Sequence, residues 1–260
     1  MMISVSNEGR WRGALTSRPL PEGDVDSLPH DVRELLATVW LERAASERRV
    51  GDAFAIVRDA LLALDADPAL SHLARRAVDD EMRHAELSRV VASRYAGREL
   101  AHPPRLELVV PQHEGAGPQL RRVLWIVGHC AMNETFASAF LEATVATATE
   151  PLARAAHREL LSDEIDHARI GWALLASLDE RTRAAVERWI PTLAVTNLRM
   201  WRTTPRTYAE GLRAHGVLPA DAVEAALLSA LRDVVIPGIA SVGMSASTLV
   251  SWLEAGAPTP

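Results

Sequence analysis

The chain has 260 residues, with 28 Lys and Arg against 34 Asp and Glu and a formal charge of −6. That balance, without any long basic run, argues against nucleic acid as the main partner, and no stretch approaches the ~20 uninterrupted apolar residues of a transmembrane helix. The single cysteine, Cys130, excludes an internal disulfide framework and any cysteine-rich metal module.

Apolar residues make up 48% of the chain but aromatic ones only 5%, a mix that favours helices over strands. The length fits one large domain, or one domain with an appendage. The N-terminal run MMISVSNEGRWRG lacks the apolar segment of a signal peptide, so a soluble cytoplasmic protein is expected.

Residues 1–29 are rich in Gly, Pro and Ser and read as an extended or disordered arm. A first long helix is expected from Pro29 to Leu64, where Leu36, Val39, Val50, Phe54, Val57, Leu61 and Leu64 recur at steps of three and four. The gap in this stripe is filled by Arg43 and Glu47. The Asp65–Pro68 turn ends the helix, and Asp67 or Ser71 can cap a second one that runs to Tyr95 and stops near Gly97. Residues 98–118 hold four prolines and two glycines and cannot form one helix. A crossover of that length lets the third helix enter away from the second helix's nearby end. The third helix is expected over Gln119–Ala148, with Leu120, Val123, Val127, Ala131, Ala137 and Leu141 on one face. The fourth covers Pro151–Leu178, so that two helix pairs joined by a long connection form a weak internal repeat. Beyond Asp179, helices are expected near 181–201 and 219–235, bounded by breaks at Thr203-Thr204-Pro205 and Val235-Ile236-Pro237.

The second helix contains Asp80-Glu81-Met82-Arg83-His84 and the fourth contains Asp163-Glu164-Ile165-Asp166-His167. In each, a Glu and a His three residues apart project from one face, one turn apart. Both pairs lie on apolar stripes: Leu70, Leu73, Ala77 and Val91 for the first, Leu160, Ile170 and Leu174 for the second. Four titratable groups facing a core are very unfavourable unless compensated. Metal ions compensate them best, and carboxylate and imidazole donors suit iron or manganese.

The third helix adds Glu134 on its inner face. The first offers Glu42 or Glu47, and the stripe favours Glu47. Spacing agrees, because Glu47 and Glu81 stand 34 residues apart and Glu134 and Glu164 stand 30 apart, placing each pair at similar depth across a hairpin. Cys130, one turn before Glu134, is a candidate pocket-lining residue. Arg43 is a candidate to neutralise excess carboxylate charge or to hold an anionic substrate. His157, two turns before Glu164 on the same face, reads as a structural histidine, with a proton relay as the alternative, and His129, off the third helix's face, needs no special role.

The set Glu47, Glu81, His84, Glu134, Glu164 and His167 resembles the ligand set of di-iron carboxylate proteins of the ferritin-like superfamily. The likeness covers residues 30–178. It implies an all-α, ferritin-like four-helix bundle with one long crossover, with residues 179–260 as extra C-terminal helices packing on it. The DEMRH run is similar to the D-E-x-R-H form of bacterial di-iron monooxygenases and related oxidases. By that likeness Asp163 orients His84, Asp80 orients His167, and Arg83 pairs with Asp163 or Asp166. The second motif departs from the form in carrying Asp166 where Arg is usual.

The resemblance implies two iron ions, with manganese or a mixed Mn/Fe pair as alternatives. It also implies O2 as co-substrate and an oxygenase or oxidase acting on a small organic substrate by hydroxylation, N-oxygenation or desaturation. A separate electron-donor protein and a homodimer are the partners it suggests; no nucleotide fingerprint is present. A ferritin- or bacterioferritin-like ferroxidase and storage protein shares the six ligands, but its near-minimal subunits lack about 80 C-terminal residues seen here. A rubrerythrin-like peroxidase would bring a cysteine-rich centre. A ribonucleotide reductase small subunit would carry a tyrosine where Ser88 stands, and a p-aminobenzoate N-oxygenase-like enzyme a histidine where Leu160 stands. A structural or partner-binding bundle with a relict site is the remaining class.

Overall fold

The computed structural model describes residues 14–203 and 210–257, and among them the chain is all-helical, with no β-strand. The first two helices, α1 (His30–Ala63) and α2 (Pro68–Ala96), are joined by a four-residue turn and pack along one another. The Asp67 side chain caps α2 by accepting from the Ala69 amide at 2.8 Å, with Pro68 at the first helical position. Gly97, at φ +68°, ends α2 in the left-handed conformation that glycine tolerates best.

The connection that follows has no regular secondary structure and runs back along α1. Arg98 pairs with Glu34, Arg48 Nη1 donates to the Pro103 carbonyl at 3.1 Å, and Arg105 pairs with Asp52. The chain thus travels from the start of α1 toward its end before the next helix begins.

The region expected as one α-helix over Gln119–Ala148 is interrupted. It comprises α3 (Pro118–Ile126), a π-helical segment (Val127–Asn133) and α4 (Glu134–Thr147). A π-helix bonds i→i+5 and holds one extra residue per turn, so the face it presents is re-phased relative to an α-helix. Next comes α5 (Pro151–Ser177), capped by the Glu150 carboxylate, and it packs against α2, α4 and the π segment. Gly171 lets α5 approach the π segment, since a Cβ there would lie 2.3 Å from the Ala131 amide nitrogen.

The C-terminal part forms α6 (Glu180–Glu187), α7 (Ile190–Thr203), a 3-10 turn (Glu210–His215) and α8 (Ala220–Ala230). After a second π segment (Leu231–Val235) come α9 (Ile236–Ser241) and α10 (Ser247–Glu254). The break expected at Val235-Ile236-Pro237 does not occur. Pro237 falls in the first turn of α9 directly after the π segment, where its missing N–H is tolerated. The break expected at Thr203-Thr204-Pro205 runs into residues outside the described set. In packing, α6 meets α3, α7 meets the first π segment and α8 meets α4. Residues 14–28 form an arm pinned to the helices: Ser17 donates from its amide and hydroxyl to Glu159 at 2.8 and 2.6 Å, and Val25 is buried. The remainder of the expected N-terminal arm, residues 1–13, lies outside the described set.

Two apolar clusters make the core. One gathers Phe54–Leu61 of α1, Leu70–Ala77 of α2, Val123–Phe136, Ile170–Leu175 of α5 and the C-terminal helices. The other gathers Leu36–Trp40, Leu87–Tyr95, Leu141 and Leu152–Leu160. In α1, α2 and α5, what separates the clusters is a short polar stretch around Glu47, Glu81–His84 and Glu164–His167, and Glu134 lies at the same level.

Candidate metal centre

That polar layer is buried. Glu81, His84, Glu134, Glu164 and His167 are all within the interior, while Glu47 is partly buried and Glu42 is exposed. Each is on the face its helix turns inward: in α5 the buried positions Leu160, Glu164, His167, Gly171 and Leu174 recur at steps of three and four. Two groups of donor atoms result, each with all atoms within 4.8 Å of one another: Glu47, Glu81 and His84, and Glu81, Glu134, Glu164 and His167. Glu81 belongs to both.

The imidazoles point their Nδ1 atoms inward. His84 Nδ1 lies 3.5 Å from Glu81 Oε2, and His167 Nδ1 lies 3.2 Å from Glu81 Oε1 and 3.5 Å from Glu164 Oε2. Their Nε2 atoms point outward: His84 Nε2 donates to Asp163 at 3.0 Å, and His167 Nε2 stands 3.5 Å from Asp80. An outer carboxylate on one ring nitrogen fixes the tautomer and leaves the other as a donor to a cation. Arg83 pairs with Asp163 and donates to the Leu15 carbonyl at 2.7 Å, tying the N-terminal arm to this layer. On the other side Arg76 stands 3.5 Å from Asp80 and 3.3 Å from Asp166. The cation absent at position 166 is thus supplied from α2 by Arg76, which the motif alone did not reveal.

The inner atoms stand near one another but lack hydrogen-bond partners. Both Glu81 oxygens, His84 Nδ1, Glu164 Oε2 and His167 Nδ1 are buried with no hydrogen bond. Leaving one such group unsatisfied costs about 1–3 kcal/mol, so five together call for a bound partner. Protonation answers the same need in the metal-free chain. Burial, then Glu81, pushes the Glu47 carboxyl up to about 8. Burial, with Glu164 beside it, raises Glu134 well above the carboxylate range. Burial would lower His84, but Asp163 and Glu81 outweigh it and push the imidazole up to about 10. Burial likewise opposes the rise of His167, and Asp80, Glu164 and Glu81 overcome it. For Glu81, burial is outweighed by His167 and His84, which hold its carboxyl below the usual range. Positive charge is demanded here, and four carboxylates with two imidazoles can hold metal ions.

No protein-family model, curated protein or solved structure matches the chain.

A regular α-helix would carry His129 off the inner face, yet the π segment turns it inward. Its Nε2, buried and without a hydrogen bond, lies 3.4 Å from Glu134 Oε1, and its ring stacks on Trp125 with centroids 5.6 Å apart. Burial holds it down to about 4, so it is a neutral imidazole. No apolar periodicity could have signalled this. Cys130, also in the π segment, is packed in the larger apolar cluster, and burial pushes its thiol up. His157 is buried, donates Nδ1–H to the Ala153 carbonyl at 2.7 Å and lies against Trp40. Arg43 stands 3.9 Å from Glu47. Among the described residues, no helix is long and apolar enough to cross a membrane.

Proposed function

We propose that the protein is an O2-dependent di-iron oxygenase or oxidase acting on a small organic substrate, built on a ferritin-like four-helix bundle with one long crossover. The observation that carries this reading is the six-residue set in which Glu81 is common to two buried donor groups. Two positions that share a carboxylate hold a metal pair, and the oxygen-rich, thiolate-free donor set suits iron over soft metals. A pair of ferrous ions held there would supply the capacity to reduce dioxygen, which no side chain of this chain can do.

The chain's own residues supply the setting. Glu47, Glu81 and His84 would hold one ion, and Glu81, Glu134, Glu164 and His167 the other. Asp163 and Asp80 hold the imidazoles in the tautomer that presents Nδ1. Phe54, whose ring centroid lies 5.0 Å from that of His167, keeps one wall of the layer apolar and excludes water.

The reading is tested by loading the purified chain with Fe(II) without oxygen, exposing it to O2 with candidate metabolites, and following the metabolites by mass spectrometry. A metabolite gaining about 16 or losing about 2 mass units, dependent on Glu134 and His167, is the expected result; these are the masses of one oxygen atom and of two hydrogens. A chain that binds no metal, or a many-subunit cage that oxidises and mineralises iron, would overturn it.

A further inference from the structure

Asn133, buried beside Glu134, joins a carboxylate of the metal layer to the C-terminal helices. Trp201 of α7 donates its indole N–H to Asn133 Oδ1 at 3.0 Å, and Asn133 Nδ2 donates to Glu134 Oε1 at 3.1 Å. An indole N–H can only donate, so it dictates which end of the Asn133 amide carries the oxygen. The NH2 end is thereby turned to Glu134. His129 Nε2 lies 3.4 Å from the same carboxylate oxygen but makes no hydrogen bond.

The contact with α7 depends on the π segment. One turn before Trp201, Asn197 Nδ2 donates to the Gly128 carbonyl at 3.1 Å. The two points that α7 holds, Gly128 and Asn133, are five residues apart. At 3.6 residues per turn, an α-helix would leave two such positions about 140° apart around its axis, and they could not both face α7. A π-helix bonds i→i+5, so five residues bring the chain round to the same side. One α-helical turn of α7 therefore meets one π turn of Val127–Asn133. Gly128 permits the close approach, since a Cβ there would lie 3.2 Å from Leu193 Cδ2 of α7. On its other side the Trp201 ring rests against Phe140 of α4, with centroids 5.4 Å apart.

A carboxylate held through one oxygen has its plane set, and with it the direction of the lone pairs left for an ion. Outer hydrogen bonds of this kind tune the affinity of a metal ligand. Asn133 does so as a neutral group, adding no charge to the layer.

We infer that α7 positions Glu134: Trp201 orients the Asn133 amide, and Asn133 orients the carboxylate for the ion held by Glu81, Glu134, Glu164 and His167. Trp201 and Asn133 are positioning residues, and residues 179–260 are through them a working part of the centre. This deepens the metal-centre reading and rests on it.

Mn(II) binding to the full chain, resolved into its two steps by chelator competition, tests the inference without turnover. In Asn133→Leu, close in size to the amide but without a donor, one step should weaken roughly 10- to 100-fold and the other should stay within about threefold. Trp201→Phe keeps an aromatic ring and removes the N–H, so the amide is free to turn, and the same step should weaken about two- to tenfold. Glu47→Gln takes a donor from the other position alone, so the ion it retains should show the same losses when either substitution is added. A loss shared equally by both steps would mean general loosening of the fold and would overturn the inference. So would an unchanged affinity in Trp201→Phe, because α7 would then have no hold on Glu134; that variant decides the matter whether or not Asn133→Leu folds. Two Mn(II) ions bound with both steps unaffected by either substitution sinks this inference alone, whereas an unmodified chain that takes up no metal sinks the di-iron reading as well.

Discussion

Sharing of Glu81 makes a quantitative prediction about metal content. One position has three donor residues, Glu47, Glu81 and His84, and the other has four, Glu81, Glu134, Glu164 and His167. Glu47→Gln takes an ionised donor from the first position and leaves the second intact. Glu81→Gln takes one from both, leaving two and three ionised or imidazole donors, and it leaves two divalent ions facing three carboxylates in a buried layer. An uncompensated buried charge of that kind costs about 3–5 kcal/mol, or roughly a thousandfold in binding. Equilibrium dialysis against Mn(II), followed by elemental analysis, should therefore give about two ions per chain for the unmodified protein and about one for Glu47→Gln. For Glu81→Gln it should give well below one. The measurement is independent of turnover and of any substrate. Two ions retained by Glu81→Gln, or both lost in Glu47→Gln, would refute the assignment of Glu81 as the shared ligand.

Three further outcomes follow from the geometry. Asp163→Asn keeps the shape but weakens the acceptor for His84 Nε2 and removes the partner of Arg83, so metal affinity should fall about 10- to 100-fold, less than for loss of a direct ligand; a competitive chelator titration measures it, and an unchanged affinity would count against orientation by Asp163. Gly171→Ala forces a methyl onto the backbone of the π segment, so unfolding should become easier by about 1–3 kcal/mol, read as a lower Tm by thermal circular dichroism, and an unaltered Tm would show that the contact yields freely. Metal uptake at pH 7 should release protons, because Glu47, at about 8, and His84, at about 10, are both protonated there in the metal-free chain and must deprotonate to bind. Affinity should accordingly rise as pH rises through neutrality, and calorimetry in two buffers of different ionisation enthalpy counts the protons. Uptake without release would mean that these groups are not ligands.

What the sequence made legible was the part governed by α-helical phase. Glu81 with His84 and Glu164 with His167 are three apart on stripes whose other members are Leu and Ala, and an α-helix of any context places them together. Glu47 could be chosen over Glu42 for the same reason, and the structure leaves Glu42 in solvent. What escaped was whatever broke the phase or came from a neighbour. The Val127–Asn133 segment still reads as a regular apolar helix, because a π segment adds a residue without altering composition, and the pattern puts His129 off the inner face with it. Arg76 was missed because its partners, Asp80 and Asp166, lie one turn along its own helix and across the gap on α5. Pro237 looked like a break because only a preceding π segment makes its position harmless.

The two-cluster core explains why such a layer survives without collapsing. Apolar contacts above and below it hold α1, α2 and α5 at fixed depth, so the carboxylates cannot retreat to solvent by tilting a helix. Relief must come from within the layer, by protons or by cations. Relief by protons leaves Glu47 and Glu134 protonated beside imidazoles pushed toward their charged forms, so a bound cation must displace protons. The asymmetry across the layer then decides the route in. On the histidine side every outer nitrogen faces a carboxylate, every such carboxylate faces a guanidinium, and the arm covers one of those pairs. On the Glu47 side Arg43 stands 3.9 Å from Glu47, and both side chains keep some accessible surface. An ion arriving from outside meets there the carboxylate of the position with fewer donors.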